Sequence, residues 1–178
     1  MIKKIFLGIP IFIVFLYLST ILTLPKEGVW YKFEELAQKK SVVISGDEVR
    51  DNFINLNISN GEILFQNMSI VNFGEITIYP FVFFNRIEIR NLKTGKDISQ
   101  FGDYIFTEAS FNHDISAPEK IVFKGEGNFG KLNGRINIKK REIDILLFPN
   151  KKTEKNKQLM KNFKKDDSLG GYLYYGSF

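Results

Sequence analysis

The chain begins with a long apolar run and then changes to short alternating segments. Residues 5–24 carry no charge over 20 positions, and fourteen of them are Ile, Leu, Phe or Val. A helix rises about 1.5 Å per residue, so this run would extend about 30 Å, which is the hydrocarbon thickness of a bilayer. The pattern therefore predicts one membrane-spanning helix.

Two lysines, Lys3 and Lys4, precede the apolar run. The positive-inside rule predicts that they stay on the cytoplasmic side and that the remainder of the chain lies across the membrane. The alternative is a cleaved signal peptide, which needs a shorter apolar core and small residues before the cut. No alanine occurs before Ala37. We therefore expect residues 1–25 to form a cytoplasmic tip and an uncleaved anchor.

A short amphipathic helix is predicted within residues 26–40. Its apolar positions recur at the helical spacing i, i+3 and i+4, at Phe33, Leu36 and Ala37. Trp30 and Tyr31 would lie just beyond the bilayer, and aromatic rings are favoured at that interface. The alternative is a helix that caps one end of a sheet, and the two interpretations are compatible.

From Ser41 onward the apolar period changes from 3.6 to 2, which is typical of half-buried strands. In residues 53–60, Ile54, Leu56 and Ile58 alternate with polar residues. The pair Asn60-Gly61 then predicts a hairpin turn, with residues 62–70 as the returning strand. Further strands are predicted at residues 75–79, 85–90, 103–111, 121–124, 131–138, 141–148 and 172–178.

These segments predict the fold class. Because strand after strand is polar on one side, we expect an antiparallel sheet with one solvated face. A loop is predicted at residues 91–95, and a short helix at residues 153–165 with an apolar stripe of Leu159, Met160 and Phe163. The prediction is thus a mainly β protein: one N-terminal transmembrane helix, then a curved or jellyroll-like antiparallel domain over residues 41–178 with two short helices.

One apolar block interrupts the alternation. Four large apolar residues follow Pro80, namely Phe81, Val82, Phe83 and Phe84. Four consecutive residues of a strand cannot all point to one side of it. Either a helix covers the outer side of this strand, or the block is an exposed contact for a partner protein or an acyl chain.

The residues needed for catalysis or metal binding are scarce. The chain has no Cys and one His, His113, so thiol chemistry, disulfides and His-rich metal sites are excluded. The glycines of residues 124–134 lack the strand–loop–helix context of a phosphate loop, and Asp166-Asp167 is typical of a solvated helix end. We therefore predict no catalytic residue, no metal and no cofactor, and hence a protein that is not an enzyme.

The positive charge is concentrated near the C-terminus. The net charge is +5, and residues 150–167 contain seven Lys against three acidic residues. Nucleic-acid binding favours aromatic residues interleaved with basic ones on a single surface, which this segment lacks. We expect no nucleic-acid partner; anionic lipid headgroups or simple solvation suit the segment better.

The order of these features resembles a known family. An anchor, a short helix (FEELAQKK), the segment VVISGDEV and strands with NISNGEILF resemble the start of AsmA-like envelope proteins, and in particular the N component of bacterial type II secretion systems. The ending, with LLFP, a Lys-rich segment and GGYLYYGSF, is similar to that family as well. A second resemblance is to the single-anchor β-jellyroll component of the lipopolysaccharide export bridge.

These resemblances imply a location and a role. The chain would be a single-pass protein of the bacterial inner membrane with its C-terminal domain in the periplasm. It would act without catalysis as an accessory or scaffold component of a secretion, pilus or similar machine, with other envelope proteins as partners. The second resemblance implies lipid binding or transfer, with acyl chains held by inward apolar residues.

Overall fold

Helices precede and follow a run of long strands. The computed structural model describes the backbone of residues 2–81 and 83–178, and the side chains of these residues except 2–8, 10 and 101. The helices are α1 (Ile2–Thr23), α2 (Lys26–Gln38), and the single-turn α3 (Lys151–Glu154) and α4 (Lys157–Met160). The strands are β1 (Val42–Asp51), β2 (Leu56–Phe65), β3 (Met68–Pro80), β4 (Phe84–Thr94), β5 (Ile105–Asp114), β6 (Lys120–Gly127), β7 (Gly130–Asn137), β8 (Glu142–Pro149), β9 (Lys164–Asp166) and β10 (Gly171–Ser177).

All ten strands belong to one antiparallel sheet. The order is β1-β2-β3-β4-β5-β6-β7-β8-β10-β9, so the first eight strands form a simple meander. This confirms the prediction of a mainly β, antiparallel fold. Neighbours in sequence are neighbours in the sheet, whereas a jellyroll would place non-consecutive strands side by side. Strands β1 and β9 are the two edges.

The prediction of a hairpin turn at Asn60-Gly61 is wrong. Strand β2 continues through both residues, and the turn to β3 is made by Gln66 and Asn67, which have φ angles of 51° and 66°. Two successive positive φ angles are typical of a tight hairpin turn, and Asn tolerates them better than most residues. Asn60 also has a positive φ angle, 43°, but within a continuous strand.

Asn60 belongs to a row of irregular positions that crosses five strands. Each of β1–β5 has a residue in this row without a partner in the ladder although the pairing resumes beyond it, and these residues are Asp47, Asn60, Gly74, Asn91 and Thr107. From the register on either side, they lie opposite one another from strand to strand. We call them the irregular row. The register from β1 to β5 is the same on both sides of the row, so the interruption is shared by all five strands, and a local departure from regular strand geometry of this kind reverses the alternation of side chains.

The core depends on this reversal. Its buried members are Trp30, Leu56, Ile58, Phe73 and Ile76, and further residues packed against them include Ile89 and Leu92. In a regular strand, residues three apart such as Phe73 and Ile76 point to opposite faces. Here both reach the same core, because the irregular row lies between them. The sheet therefore keeps one apolar face on both sides of the row.

Two other local predictions are wrong. Residues 91–95 are not a loop, because β4 extends to Thr94. Residues 153–165 are not one helix: they hold the end of α3, then α4, then the edge strand β9. Asn150 caps α3 by accepting hydrogen bonds from the N–H groups of Lys152 and Thr153 at 3.0 and 2.9 Å. The segment forms two single helical turns instead of one helix, because its last residues leave the helical path and pair as β9 with β10 at the edge of the sheet.

The two N-terminal helices meet at a bend. Helix α2, Lys26–Gln38, lies within residues 26–40, where a short helix was predicted. Over the part of the chain that the structure describes, no single helix meets the length and apolarity expected of a membrane span; residues Ile11–Thr23 and Lys26–Gln38, bent by 57°, meet them only as a pair.

Candidate functional site

An apolar cavity of about 360 Å³ lies between α2 and the apolar face of β1–β4, and we call it the α2 cavity. Its size falls at the lower end of the range of about 300–1,000 Å³ that is usual for small-molecule sites. Leu24, the residue that follows α1, also contributes to the wall. The other side chains around it are mostly large and apolar, among them Trp30, Phe33, Ile44, Ile63, Ile76 and Ile87.

One cation lies in the wall of the α2 cavity. Lys26 is only 3% exposed, and its Nζ donates to the carboxylate of Asp51, 3.1 Å from Oδ1. The backbone N–H of Asp51 in turn donates to Glu27 at 3.2 Å. A buried charge is tolerated only when it is paired in this way. These contacts fix the first turn of α2 to the end of β1 and hold the Lys26 side chain in the wall of the α2 cavity.

Trp30 supplies a second polar group in the same wall. The residue is 6% exposed and its ring belongs to the core on the apolar face of the sheet. The interface position expected for it stays a prediction. Its neighbour Tyr31 is exposed, and its predicted interface contact stays a prediction. The Nε1 of Trp30 is buried and finds no acceptor among the described residues. An unpaired buried donor costs about 1–3 kcal/mol.

The outer surface of α2 is polar by contrast. Glu35 accepts hydrogen bonds from Lys32 at 2.6 Å and from Lys39 at 2.9 Å. These two ammonium groups hold the pKa of the Glu35 carboxyl below its usual value. The α2 cavity lies on the other side of the helix. Of the predicted apolar positions, Phe33 and Leu36 are each 52% exposed.

A second apolar cavity, of about 300 Å³, lies toward the other end of the strands. Side chains from β3, β4, β5, β7, β8 and α4 surround it, including Ile70, Leu92, Phe106, Leu147 and Leu159. Phe163, which follows α4, also lines it and packs at a tilt on Tyr174 of β10 with ring centroids 5.7 Å apart. The short C-terminal helices thus cover one part of the apolar face, and α2 covers another part of the same face near β1–β4.

The polar face of β4–β8 carries a wider groove of about 530 Å³. Its charged side chains are largely paired: Arg86 with Glu88 at 2.7 Å, and Lys131 with Glu126 at 3.1 Å. No group of three or more His, Asp or Glu side chains suited to a metal occurs among the described residues. This groove is therefore a solvated surface of ion pairs.

Within the apolar block after Pro80, Phe81 and Phe83 lie outside the strands and Phe84 begins β4. Phe83 is 57% exposed and Phe84, the first residue of β4, is 44% exposed. Phe81 is half-buried and packs on Phe84 with ring centroids 4.7 Å apart. Val82 lies outside the described residues. The surface contact with a partner protein or an acyl chain stays a prediction.

The remaining predicted positions are distributed along the molecule. Lys3 and Lys4 lie in α1, and their side chains are outside the described set. His113 lies in β5, where its Nε2 is 3.0 Å from the carbonyl oxygen of Pro118. The α2 cavity was not predicted, because its walls join residues that are distant in sequence.

Comparisons with protein-family models, with curated proteins and with solved structures found no match to this chain. The resemblance to AsmA-like and secretion-system proteins therefore stays a prediction.

Proposed function

We propose that this protein is a membrane-anchored, non-enzymatic lipid-binding protein whose α2 cavity holds the acyl chain of an anionic or ester-containing lipid. The observation that carries the proposal is a cavity whose surface is almost wholly apolar and whose wall includes the residues Lys26 and Trp30. Acyl chains need an apolar space, and their head groups offer carboxylate, ester or phosphate oxygens as acceptors. The Nε1 of Trp30 is buried behind this wall and has no acceptor among the described residues, so it would donate to such an oxygen only after a small shift of the side chains that cover it.

The anchor is part of the proposal. Residues 5–24 are uncharged, and α1 covers them as far as Thr23. Apolar side chains from Ile9 to Leu18 are largely exposed around this helix, which a bilayer would accommodate. Leu24 joins α1 directly to the wall of the α2 cavity, so a lipid would move only a short distance between bilayer and cavity. The location would be the bacterial inner membrane with the sheet on the periplasmic side.

The single tryptophan makes the proposal testable. The full-length protein in detergent would be titrated with dibrominated stearate, with unbrominated stearate as the blank, while Trp30 emission is followed. Bromine quenches indole fluorescence only at close range, so saturable quenching is expected. The variant Ile87→Phe, which reduces the space in the α2 cavity, should weaken the quenching.

A matched control separates the cavity from the surrounding detergent. Val122→Phe makes the same kind of change on the exposed polar face, remote from the α2 cavity, and should leave the quenching unchanged. Equal quenching in both variants would mean that the bromine lies outside the cavity, and the proposal would fail. Circular dichroism of each variant checks that the fold is kept.

A second candidate function is assembly within an envelope machine, as the resemblance implies. Strand β1 favours this function. It is ten residues long and pairs with β2 along one side only. Among the described residues, its end also contacts α2. Such an edge accepts an added strand from a partner. By contrast, the other edge, β9, is three residues long and charged, which blunts it.

This second candidate predicts an edge-specific partner. A benzophenone amino acid placed at Ser45 of β1 in cells should crosslink to one discrete protein, and the same probe at Lys164 of β9 should not. Identical adducts from both positions would point to non-specific proximity and would count against the assembly role.

A further inference from the structure

The turns at one end of the sheet share an unusual surface. Because the strands form a meander, the turns that precede β2, β4, β6 and β8 all lie at the same end, together with the end of β10. Each of them exposes at least one large apolar side chain. We call this set the apolar rim: Phe53, Ile54, Phe83, Phe84, Ile115, Ile138 and Phe178.

Backbone hydrogen bonds join neighbouring turns of the apolar rim. The N–H of Ile115 donates to the carbonyl of Phe83 at 3.0 Å, and the N–H of Ile138 donates to Glu119 at 2.8 Å. At the last turn, the N–H of Phe178 donates to Arg141 at 3.0 Å. The exposed side chains are therefore held beside one another rather than scattered on independent loops.

The opposite end of the sheet differs. Its tight turns are the polar pair Gln66-Asn67 and Asn128-Phe129, where the Phe is buried. The exposed large apolar residues at that end lie beside the turns, at Phe65, Met68, Ile105 and Leu169. At the apolar rim the exposed Phe and Ile lie in or directly beside every turn, and a series of this kind indicates a contact surface.

The position of α1 identifies what covers the apolar rim. Tyr17 of α1 stacks on Phe83 with ring centroids 5.1 Å apart. At about 1.5 Å per residue, Tyr17 is about 9 Å along the helix from Thr23. If α1 spans a bilayer, Phe83 lies beside a part of the helix that is inside it. Apolar faces of interfacial segments enter a bilayer to a similar depth, about 5–10 Å.

Charge complementarity agrees with a lipid surface. The turn between β7 and β8 presents Ile138 followed by Lys139, Lys140 and Arg141, all of them exposed. Apolar tips beside basic residues suit a bilayer that contains anionic lipids, where each Lys or Arg near the surface contributes about 1 kcal/mol.

From these observations we infer that the apolar rim is a second membrane contact, which inserts into the headgroup region of the bilayer that α1 spans and holds the strands upright on it. This inference rests on the membrane anchor of the proposed function, but it is independent of the α2 cavity. It assigns a role to the exposed aromatic block at Phe83 and Phe84 and extends it to turns that are distant in sequence.

The absence of cysteine allows a direct test. Single variants Ile115→Cys, Ile138→Cys, Lys96→Cys and Phe15→Cys would be labelled with an NBD fluorophore. Each full-length protein would be reconstituted into phosphatidylcholine–phosphatidylglycerol vesicles with or without nitroxide-labelled lipid. Lys96 is exposed in the loop after β4, at the opposite end of the sheet, and Phe15 lies in α1.

The expected result is strong quenching and blue-shifted emission at Ile115 and Ile138, comparable with Phe15, and none at Lys96. Quenching at Phe15 alone would overturn the apolar rim and leave the anchor intact. Quenching at none of the four positions would overturn both the anchor and the rim. All three sheet positions are exposed loop residues, so their variants are expected to fold.

Discussion

The ammonium group of Lys26 lies 3.1 Å from Oδ1 of Asp51 and joins the first residue of α2 to the last residue of β1. The two partners are unequally exposed: the Lys26 side chain is almost fully buried, whereas the Asp51 carboxylate is partly solvated. The consequences of removing one or the other partner should therefore differ.

Asp51→Asn should be the more damaging change. It leaves a buried ammonium without its counter-charge, and breaking a fully buried pair in this way costs about 3–5 kcal/mol. We expect a loss somewhat below that range, about 2–4 kcal/mol, because water can reach this pair from the Asp51 side. The free energy of unfolding would be measured by urea titration of the full-length protein in detergent, followed by Trp30 emission.

Lys26→Met is the matched control. It replaces the charge by an apolar chain of similar length. The Asp51 carboxylate is partly exposed to solvent and still accepts a hydrogen bond from the N–H of Phe53 at 2.9 Å. The loss should be about 1 kcal/mol or less, because replacing a buried ion by apolar packing is often neutral. Equal losses in the two variants would contradict this account of the pair.

Gly61 should not tolerate a side chain. A Cβ at this position would collide with the carbonyl oxygen of Ser45 and with the ring of Phe73. Because one obstacle is backbone, we expect Gly61→Ala to destabilise the protein by about 1–3 kcal/mol, as overpacking does. The measurement is again urea-induced unfolding of the full-length protein.

Gly28→Ala provides the comparison for Gly61. Gly28 lies in α2, where the nearest relevant atom to an added Cβ is Pro25 Cβ at 3.9 Å. Replacing Gly by Ala in an unobstructed helix should stabilise by about 0.5–1 kcal/mol. If both variants lost stability equally, close packing at Gly61 would not be the cause.

Two residues of the irregular row, Asn60 and Asn91, have a positive φ angle and should depend on a side chain that tolerates it. Asn91 has φ 53° and is exposed, so a substitution there changes the backbone preference more than the packing. Asn91→Val should cost about 1–2 kcal/mol, whereas Asn91→Gly should be neutral or slightly stabilising. A thermal melt followed by circular dichroism would measure both, and equal melting temperatures would argue against conformational strain at this position.

Tyr172 ties β10 to α3 in a way that depends on pH. Its hydroxyl donates to Glu154 at 2.8 Å, which raises the pKa of the phenol above its ordinary value. A raised folded pKa means that the contact is intact below the ordinary pKa of tyrosine and is lost as the pH rises through the folded value.

An ultraviolet titration can isolate this tyrosine. The phenolate absorbance of the wild type minus that of Tyr172→Phe should give one transition at higher pH than a free tyrosine. Glu154→Gln should move this transition back toward the ordinary value by removing the negative charge. A difference curve at the ordinary pKa in the wild type would rule out the contact with Glu154.

The sequence determined much of the secondary structure by itself. Alternation of apolar and polar residues located most strands within a few positions and predicted an antiparallel sheet with one polar face, because a half-solvated strand needs a period of two. The spacing of Phe33 and Leu36 likewise predicted a short helix where α2 is found, although both side chains are more than half exposed. These are local properties, and neighbours along the chain are enough to establish them.

The tertiary structure alone decided where the strands bend and what the apolar face encloses. Asn60-Gly61 tolerates a positive φ angle both in a turn and in an irregular strand, so its local preference cannot distinguish the two. The outcome is fixed by Asp47 and Gly74 on the neighbouring strands, which break the ladder at the same row. The α2 cavity and the apolar rim likewise join residues distant in sequence, because a meander gathers alternate turns at one end of the sheet.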